Sequence, residues 1–141
     1  MAEQPTGEQG LASAQPRLLI VDDELMVAWG LGETARELGW KVCATVTTQE
    51  SAVEAASHLK PDAILMDYRL ANGGDGLVAA RRIREATDIP IIFCTAYATG
   101  LRPEVLSVPR AQLIAKPARL SYLRQALAWA ISIGHPAATA G

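Results

Sequence analysis

Five short apolar runs recur along the chain, each stopping at a polar or turn-forming residue: RLLIV (Arg17–Val21), KVCATV (Lys41–Val46), AILM (Ala63–Met66), IIFC (Ile91–Cys94) and AQLIA (Ala111–Ala115). Between them lie segments whose apolar residues recur at three- and four-residue spacing. Strands that are apolar throughout, rather than alternating, are covered on both faces, which is the pattern of a parallel sheet. Strands alternating with helices imply an α/β domain. Right-handed crossovers then place every loop that follows a strand on one edge of the sheet. Such open sheets bind ligands outside the carboxyl ends of their strands. Function should therefore lie where the runs stop, at Asp22, Asp23, Asp67, Thr95 and Lys116.

The helical segments have readable ends. The first runs from about Leu25 to about Leu38, with Gly39 as its C-terminal cap, and Trp29 and Trp40 read as packing residues. Thr47-Thr48-Gln49-Glu50 reads as a capping box opening a helix to about Leu59, where Lys60-Pro61 breaks it. A loop carrying Asn72, Gly73 and Gly74 precedes a helix from about Asp75 to Ala86. Pro103 suits the first turn of a short, weak helix over residues 103–107, and a last helix runs from about Arg119 to Ile133. Residues 1–16 are rich in Gly, Pro, Gln, Ser and Thr and read as a mobile arm. Residues 17–133 read as the one domain, and residues 134–141 as a flexible tail.

With 50% hydrophobic and 20% charged residues, the chain is too apolar to be disordered. A net charge of −2 argues against a nucleic-acid or membrane-surface partner, since phosphates favour a basic face. No apolar run approaches the roughly 18 residues that a membrane span needs. The start, MAEQPTGEQG, lacks the pattern of a signal peptide. Cys43 and Cys94 lie in apolar runs without CxxC or His spacing, so buried free thiols in a reducing cytoplasm are expected. No GxxxxGK[ST] phosphate loop occurs.

Three carboxylates at one sheet edge repel one another. At ~4 Å and an effective dielectric near 20, each pair costs about 4 kcal/mol. A bound cation offsets this, and a site of hard oxygen ligands suits Mg²⁺, which keeps several waters and accepts phosphate oxygens. Lys116 can supply a second counter-charge and Thr95 a hydroxyl for a phosphoryl oxygen. Asp67, alone on the third strand, can attack phosphorus. Each residue taken singly has a plainer explanation, as a helix cap, a turn residue, a strand end or a solvated cation. Five at one edge favour a site.

These residues sit in VDDE (Val21–Glu24), LMDYRL (Leu65–Leu70), CTAYA (Cys94–Ala98) and AKP (Ala115–Pro117). Together these motifs resemble the signatures of a bacterial response-regulator receiver domain, the signalling module of two-component systems, over about Arg17 to Ile133. The resemblance implies a doubly wound (βα)5 flavodoxin-like sandwich with strand order 2-1-3-4-5. It implies that Asp67 accepts a phosphoryl group from a histidine kinase or histidine phosphotransfer protein. Asp23 and Asp67 would bind Mg²⁺ directly, with the backbone carbonyl of Arg69, and Asp22 would hold it through water. Thr95 and Lys116 would contact the phosphoryl oxygens, with Thr95 as switch hydroxyl. Such a protein is a phosphoacceptor, not an enzyme acting on an external substrate.

Three features depart from the family pattern. The loop after the phosphoacceptor is Ala71-Asn72-Gly73-Gly74, with one extra residue and no proline, and is expected to be more mobile. The strand-five aromatic, three positions before the lysine, is replaced by Leu113. Pro90, Phe93 and Thr95 match the PFxFATGGY-type subfamily, which also lacks that aromatic, although Ala96 replaces a glycine and Tyr97 stands beside the position of the motif's tyrosine. Tyr97 is therefore the candidate substitute switch, moved through Ala96 when Thr95 is drawn toward the phosphoryl group.

With only a short tail after the domain, output is expected through the receiver's own surface, as a signalling switch or phosphorelay intermediate. In the last helix Leu120, Leu123, Leu127 and Ile131 can face the sheet, and Tyr122, Ala126, Trp129 and Ile133 form a second stripe for a downstream protein or a homodimer. The alternative reading is an Asp-nucleophile phosphatase of another α/β family. That chemistry normally needs a second Asp two residues after the nucleophile, where this chain has Arg69.

Overall fold

The computed structural model describes residues 14–96 and 98–134. Five strands, β1 (Arg17–Val21), β2 (Lys41–Val46), β3 (Ala63–Met66), β6 (Ile91–Thr95) and β7 (Ala111–Ala115), form one sheet in the order β2-β1-β3-β6-β7. All four pairings are parallel. This is the expected 2-1-3-4-5 order. The helices between them are α1 (Leu25–Glu37), α2 (Gln49–Leu59), α3 (Gly76–Ala86), α4 (Ala98–Leu106) and α5 (Leu120–Gly134).

The period of two divides each strand between two cores. Leu18, Ile20, Ala63, Leu65, Ile92 and Cys94 face α1 and α5, whose Ala28, Leu31, Ala35, Leu123, Ala126 and Leu127 cover them. Leu19, Val21, Ile64, Met66, Ile91 and Phe93 face α2, α3 and α4, meeting Ala52, Ala56, Leu77, Ile83 and Val105. Burying each such Leu, Ile or Phe contributes about 1.5–3 kcal/mol, which is why β3 has no polar residue and β6 has none before its last, Thr95. Strands β3 and β6 are buried along their whole length. The edge strand β2 is only partly covered, so Cys43 is half-exposed rather than buried, whereas Cys94 is buried as expected.

Several expectations need correction. The capping box opening α2 joins Thr48 to Ser51 rather than Thr47 to Glu50: Ser51 N–H donates to Thr48 Oγ1 at 3.0 Å and Thr48 N–H to Ser51 Oγ at 3.1 Å. Helix α4 starts at Ala98, which puts Pro103 in its interior rather than its first turn. In α1 the buried residues are Ala28, Leu31, Gly32 and Ala35, so Leu25 and Trp29 fall outside that stripe, at 68% and 64% exposure. Trp40 is buried. In α5 the buried set is Leu123, Ala126, Leu127 and Ala130. Ala126 therefore belongs to the core and interrupts the stripe expected to be exposed. Trp129 is half-buried against the same core, Ile133 is half-exposed, and Tyr122 is exposed. Leu120 and Ile131, expected against the sheet, are exposed. Of the arm, Gln15 and Pro16 are tied down: Lys41 N–H donates to the Pro16 carbonyl at 2.8 Å and Gln15 Nε2 to that of Gly39 at 3.3 Å. Residues 1–13, Tyr97 and residues 135–141 lie outside the described residues.

The loop after Asp67 is built rather than loose. Arg69–Leu70 (β4) and Gly74–Asp75 (β5) pair antiparallel across a single 3-10 turn, Ala71–Gly73. Asn72 and Gly73 supply the left-handed backbone that such a tight turn requires, at φ 62° and 73°. Ala71 N–H donates to the Thr47 carbonyl at 3.0 Å and Asp75 N–H to Gln49 Oε1 at 3.1 Å, which ties the ribbon to the start of α2.

Candidate functional site at the carboxyl edge of the sheet

Strands β1, β3, β6 and β7 end side by side, and each delivers its last polar residue to one edge. Asp22 follows β1, its N–H bonded to the Val46 carbonyl of β2. Asp67 follows β3, with its N–H on the Val21 carbonyl of β1. Thr95 closes β6, its carbonyl accepting from Lys116 N–H just past β7. The ladder thus sets the spacing of these residues. A cleft of about 270 Å³ lies between them, lined by Asp23, Glu24, Asp67, Arg69, Thr95, Ala96 and Lys116.

Lys116 sits at the centre of the acids. Its Nζ lies 2.9 Å from Asp22 Oδ2, 3.3 Å from Asp67 Oδ2 and 3.9 Å from Glu24 Oε1. Asp22 and Thr95 are buried polar residues, each at most 2% exposed. Burial holds the Asp67 carboxyl above the usual range. Lys116 opposes this shift, the Asp22 charge reinforces it, and the net effect is upward. Burial works against the Lys116 ammonium, but its bond to Asp22 and the charges of Asp67 and Asp22 outweigh burial, so its pKa rises and it stays cationic. Cys94, beneath the site, has its thiol pushed up to about 12 by burial.

Carboxylate oxygens of Asp22, Glu24 and Asp67 lie within 4.8 Å of one another. One ammonium cannot neutralise three carboxylates, so this cluster of hard oxygen donors fits a small divalent cation. Asp23, expected among the direct ligands, lines the cleft, but its carboxylate is not one of that close trio. Glu24 was not singled out from the sequence. Its signal was the third acid of VDDE. Asp22 Oδ1 accepts from Glu24 N–H at 2.9 Å, and this turn brings Glu24 back toward Lys116. Asp22 therefore serves Lys116 and a main-chain amide rather than capping the helix with a side-chain bond, and Glu24 occupies the N-cap position.

Around Asp67 the backbone approaches closely. Tyr68 N–H donates to Asp67 Oδ1 at 2.8 Å. Gly76 N–H donates to the Tyr68 carbonyl at 2.5 Å, and a Cβ on Gly76 would stand 1.9 Å from the Asp67 carbonyl oxygen. Only glycine fits there. Leu113, at the position where the family pattern has an aromatic, is half-buried against the core.

The family model for the response regulator receiver domain matches residues 18–128. The phyllosphere-induced regulator PhyR of Methylorubrum extorquens is 38% identical over 116 residues, covering 79% of this chain and 42% of that protein. The transcriptional regulatory protein PdtaR of Mycobacterium tuberculosis is 30% identical over 122 residues, covering 86% of this chain and 59% of that protein. The chain thus spans about half the length of the curated relatives it matches. Among solved structures, the receiver domain of the sensor histidine kinase PA1611 from Pseudomonas aeruginosa superposes with a TM-score of 0.73 at 33% identity. It covers 84% of this chain and 99% of that one, and has a magnesium ion coordinated in its active-site cleft. The receiver domain of Erythrobacter litoralis PhyR gives a TM-score of 0.71 at 32% identity, covering 83% of this chain and 90% of that one. With a matching family model over most of its length, a parallel 2-1-3-4-5 sheet and an acid–lysine cluster at the sheet's carboxyl edge, the chain belongs to the response-regulator receiver domain family of two-component signalling.

Proposed function

We propose that the chain is a phosphoacceptor in which Asp67 takes a phosphoryl group from a histidine kinase or histidine phosphotransfer protein and passes the signal on by protein contacts. The observation that carries this reading is the convergence of Asp67, Lys116 and Thr95 in one cleft, with Lys116 Nζ 3.3 Å from the Asp67 carboxylate. In the transfer, an Asp67 Oδ–P bond forms as the donor's P–N bond breaks, and the electron pair of that bond stays on the histidine nitrogen. Lys116 carries positive charge to the phosphoryl oxygens, and the Thr95 hydroxyl donates to one of them. Mg²⁺, when bound, supplies further positive charge for the same oxygens. Asp67, Asp23 and the Arg69 carbonyl are its proposed direct ligands. Asp22, whose oxygens already serve Lys116 and the Glu24 amide, acts through water.

The donor must reach Asp67, so its contact surface adjoins the cleft. A groove of about 560 Å³ between α1 and the loop after β7 shares Ala96 and Lys116 with the cleft. Leu25, Met26 and Trp29 stand exposed on α1 nearby. Downstream, Thr95 moving toward the phosphoryl group pulls on Ala96 and thereby on residues 96–108, with Tyr97 as the substitute switch and the exposed Tyr122 as part of the surface that passes the signal on. Among the described residues no helix is long and apolar enough to cross a membrane. A small phosphodonor such as acetyl phosphate separates this reading from that of a phosphatase. A phosphoacceptor retains one acyl phosphate per chain, and a phosphatase releases phosphate in bulk with no retained label.

A further inference from the structure

We propose that Gln49, on the first turn of α2 and outside the acid cluster, is a positioning residue that sets the metal selectivity of the site. The proposal rests on the Mg²⁺ site described above. Gln49 accepts the Asp75 N–H at 3.1 Å, and Asp75 is the cross-strand partner of Arg69 in the β4–β5 ribbon. The Gly76 N–H to Tyr68 carbonyl bond flanks this pair, as expected for a non-hydrogen-bonded antiparallel pair whose main-chain groups turn outward from the ribbon. On one side the Asp75 amide turns to Gln49. On the other strand stands Arg69, which lines the cleft. The stem of Gln49 also packs on Gly74, where an added Cβ would lie 3.3 Å from Gln49 Cβ. With Ala71 N–H on the Thr47 carbonyl and Asp75 Oδ1 capping α3 through Leu77 N–H at 2.7 Å, the ribbon is held at three points.

Gln49 is the one of these three holds made by a side chain of another element, so it can be removed without touching the ribbon's own residues. A carbonyl ligand carried on a fixed ribbon has a fixed position. Mg²⁺ demands near-ideal octahedral geometry at short range, whereas Ca²⁺ accepts longer, irregular ligand sets. Losing the Gln49 hold therefore penalises Mg²⁺ more than Ca²⁺. A global loss of stability would penalise both alike.

The test is calorimetric titration of the intact chain with Mg²⁺ and, separately, Ca²⁺. Gln49→Met keeps the length and packing and removes the acceptor, while Gln49→Glu keeps an acceptor oxygen. In Gln49→Met the Mg²⁺ Kd should rise by about tenfold, the scale found for residues that orient metal ligands, with less than about a threefold rise for Ca²⁺. Gln49→Glu should keep the wild-type preference. If Gln49→Met binds both ions with the wild-type ratio of affinities, or if both variants lose the ratio equally, the positioning role is overturned. Wild-type protein that binds neither ion would overturn the metal site itself, and the inference with it.

Discussion

Lys116 is the only cation within 4 Å of Asp22 and Asp67 among the described residues, so its removal exposes what holds the site together. At an effective dielectric near 20, it attracts Asp22 at 2.9 Å by about 5.7 kcal/mol and Asp67 at 3.3 Å by about 5.0 kcal/mol. The two carboxylates, within 4.8 Å of each other, repel by at least about 3.5 kcal/mol on the same scale. Desolvation offsets much of the gross attraction, so the net worth of the lysine is smaller than the sum. Because its side chain is 14% exposed and those of Asp22 and Asp67 are 2% and 12%, screening by solvent is slight. Truncating one partner of a buried pair costs about 3–5 kcal/mol, and that is the loss expected for Lys116→Met in urea denaturation at pH 7 with EDTA. The deficit should shrink as pH falls. Asp67, already shifted upward by burial and by Asp22, loses the ammonium that opposed this shift. A carboxyl with a raised folded pKa binds more protons folded than unfolded, so stability rises as pH drops through that pKa. Millimolar Mg²⁺ should return part of the loss, and more to the mutant than to wild type. A pH-independent loss below about 1 kcal/mol, the worth of a surface pair, would mean that Lys116 does not hold the acids together.

Gly76→Ala should destabilise the fold by about 3 kcal/mol or more, because its Cβ would meet the Asp67 carbonyl oxygen, a backbone atom, at 1.9 Å. A near-neutral midpoint in thermal denaturation would contradict this. Asp75→Ala removes the cap that accepts Leu77 N–H and should cost about 1 kcal/mol in the same assay, leaving the denaturant slope unchanged. Cys94, with its pKa pushed up to about 12, should resist iodoacetamide in the native protein at pH 8 and react once urea unfolds it, as read by peptide mass spectrometry.

The sheet was legible because burial on both faces leaves a plain mark. The runs at Arg17–Val21, Lys41–Val46, Ala63–Met66 and Ala111–Ala115 are the strands to the residue, and only β6 extends one further, to Thr95. The acids and the lysine were legible because each ends a strand. The ribbon after Asp67 was not. Two-residue strands carry no period, and the glycines that suggested mobility are there because the turn and its close contact with Asp67 require them. Glu24 was missed because its role depends on a turn closed by Asp22, which spacing alone does not reveal. Helix α5 is hard to read for a packing reason: its contact with the sheet uses Ala126 and Ala130 as much as the leucines, and the large apolar Leu120 and Ile131 lie outside that face.

Asp67 is the proposed carrier of the phosphoryl group. Acetyl phosphate with Mg²⁺, followed by borohydride reduction and peptide mass spectrometry, reads the position directly, because an aspartyl phosphate is reduced to homoserine and an ordinary carboxylate is not. Homoserine is expected at position 67 in wild type, is lost when Mg²⁺ is withheld, and is absent in Asp67→Asn. Reduction at Asp22 or Asp23 instead, or persistent label in Asp67→Asn, would contradict that assignment.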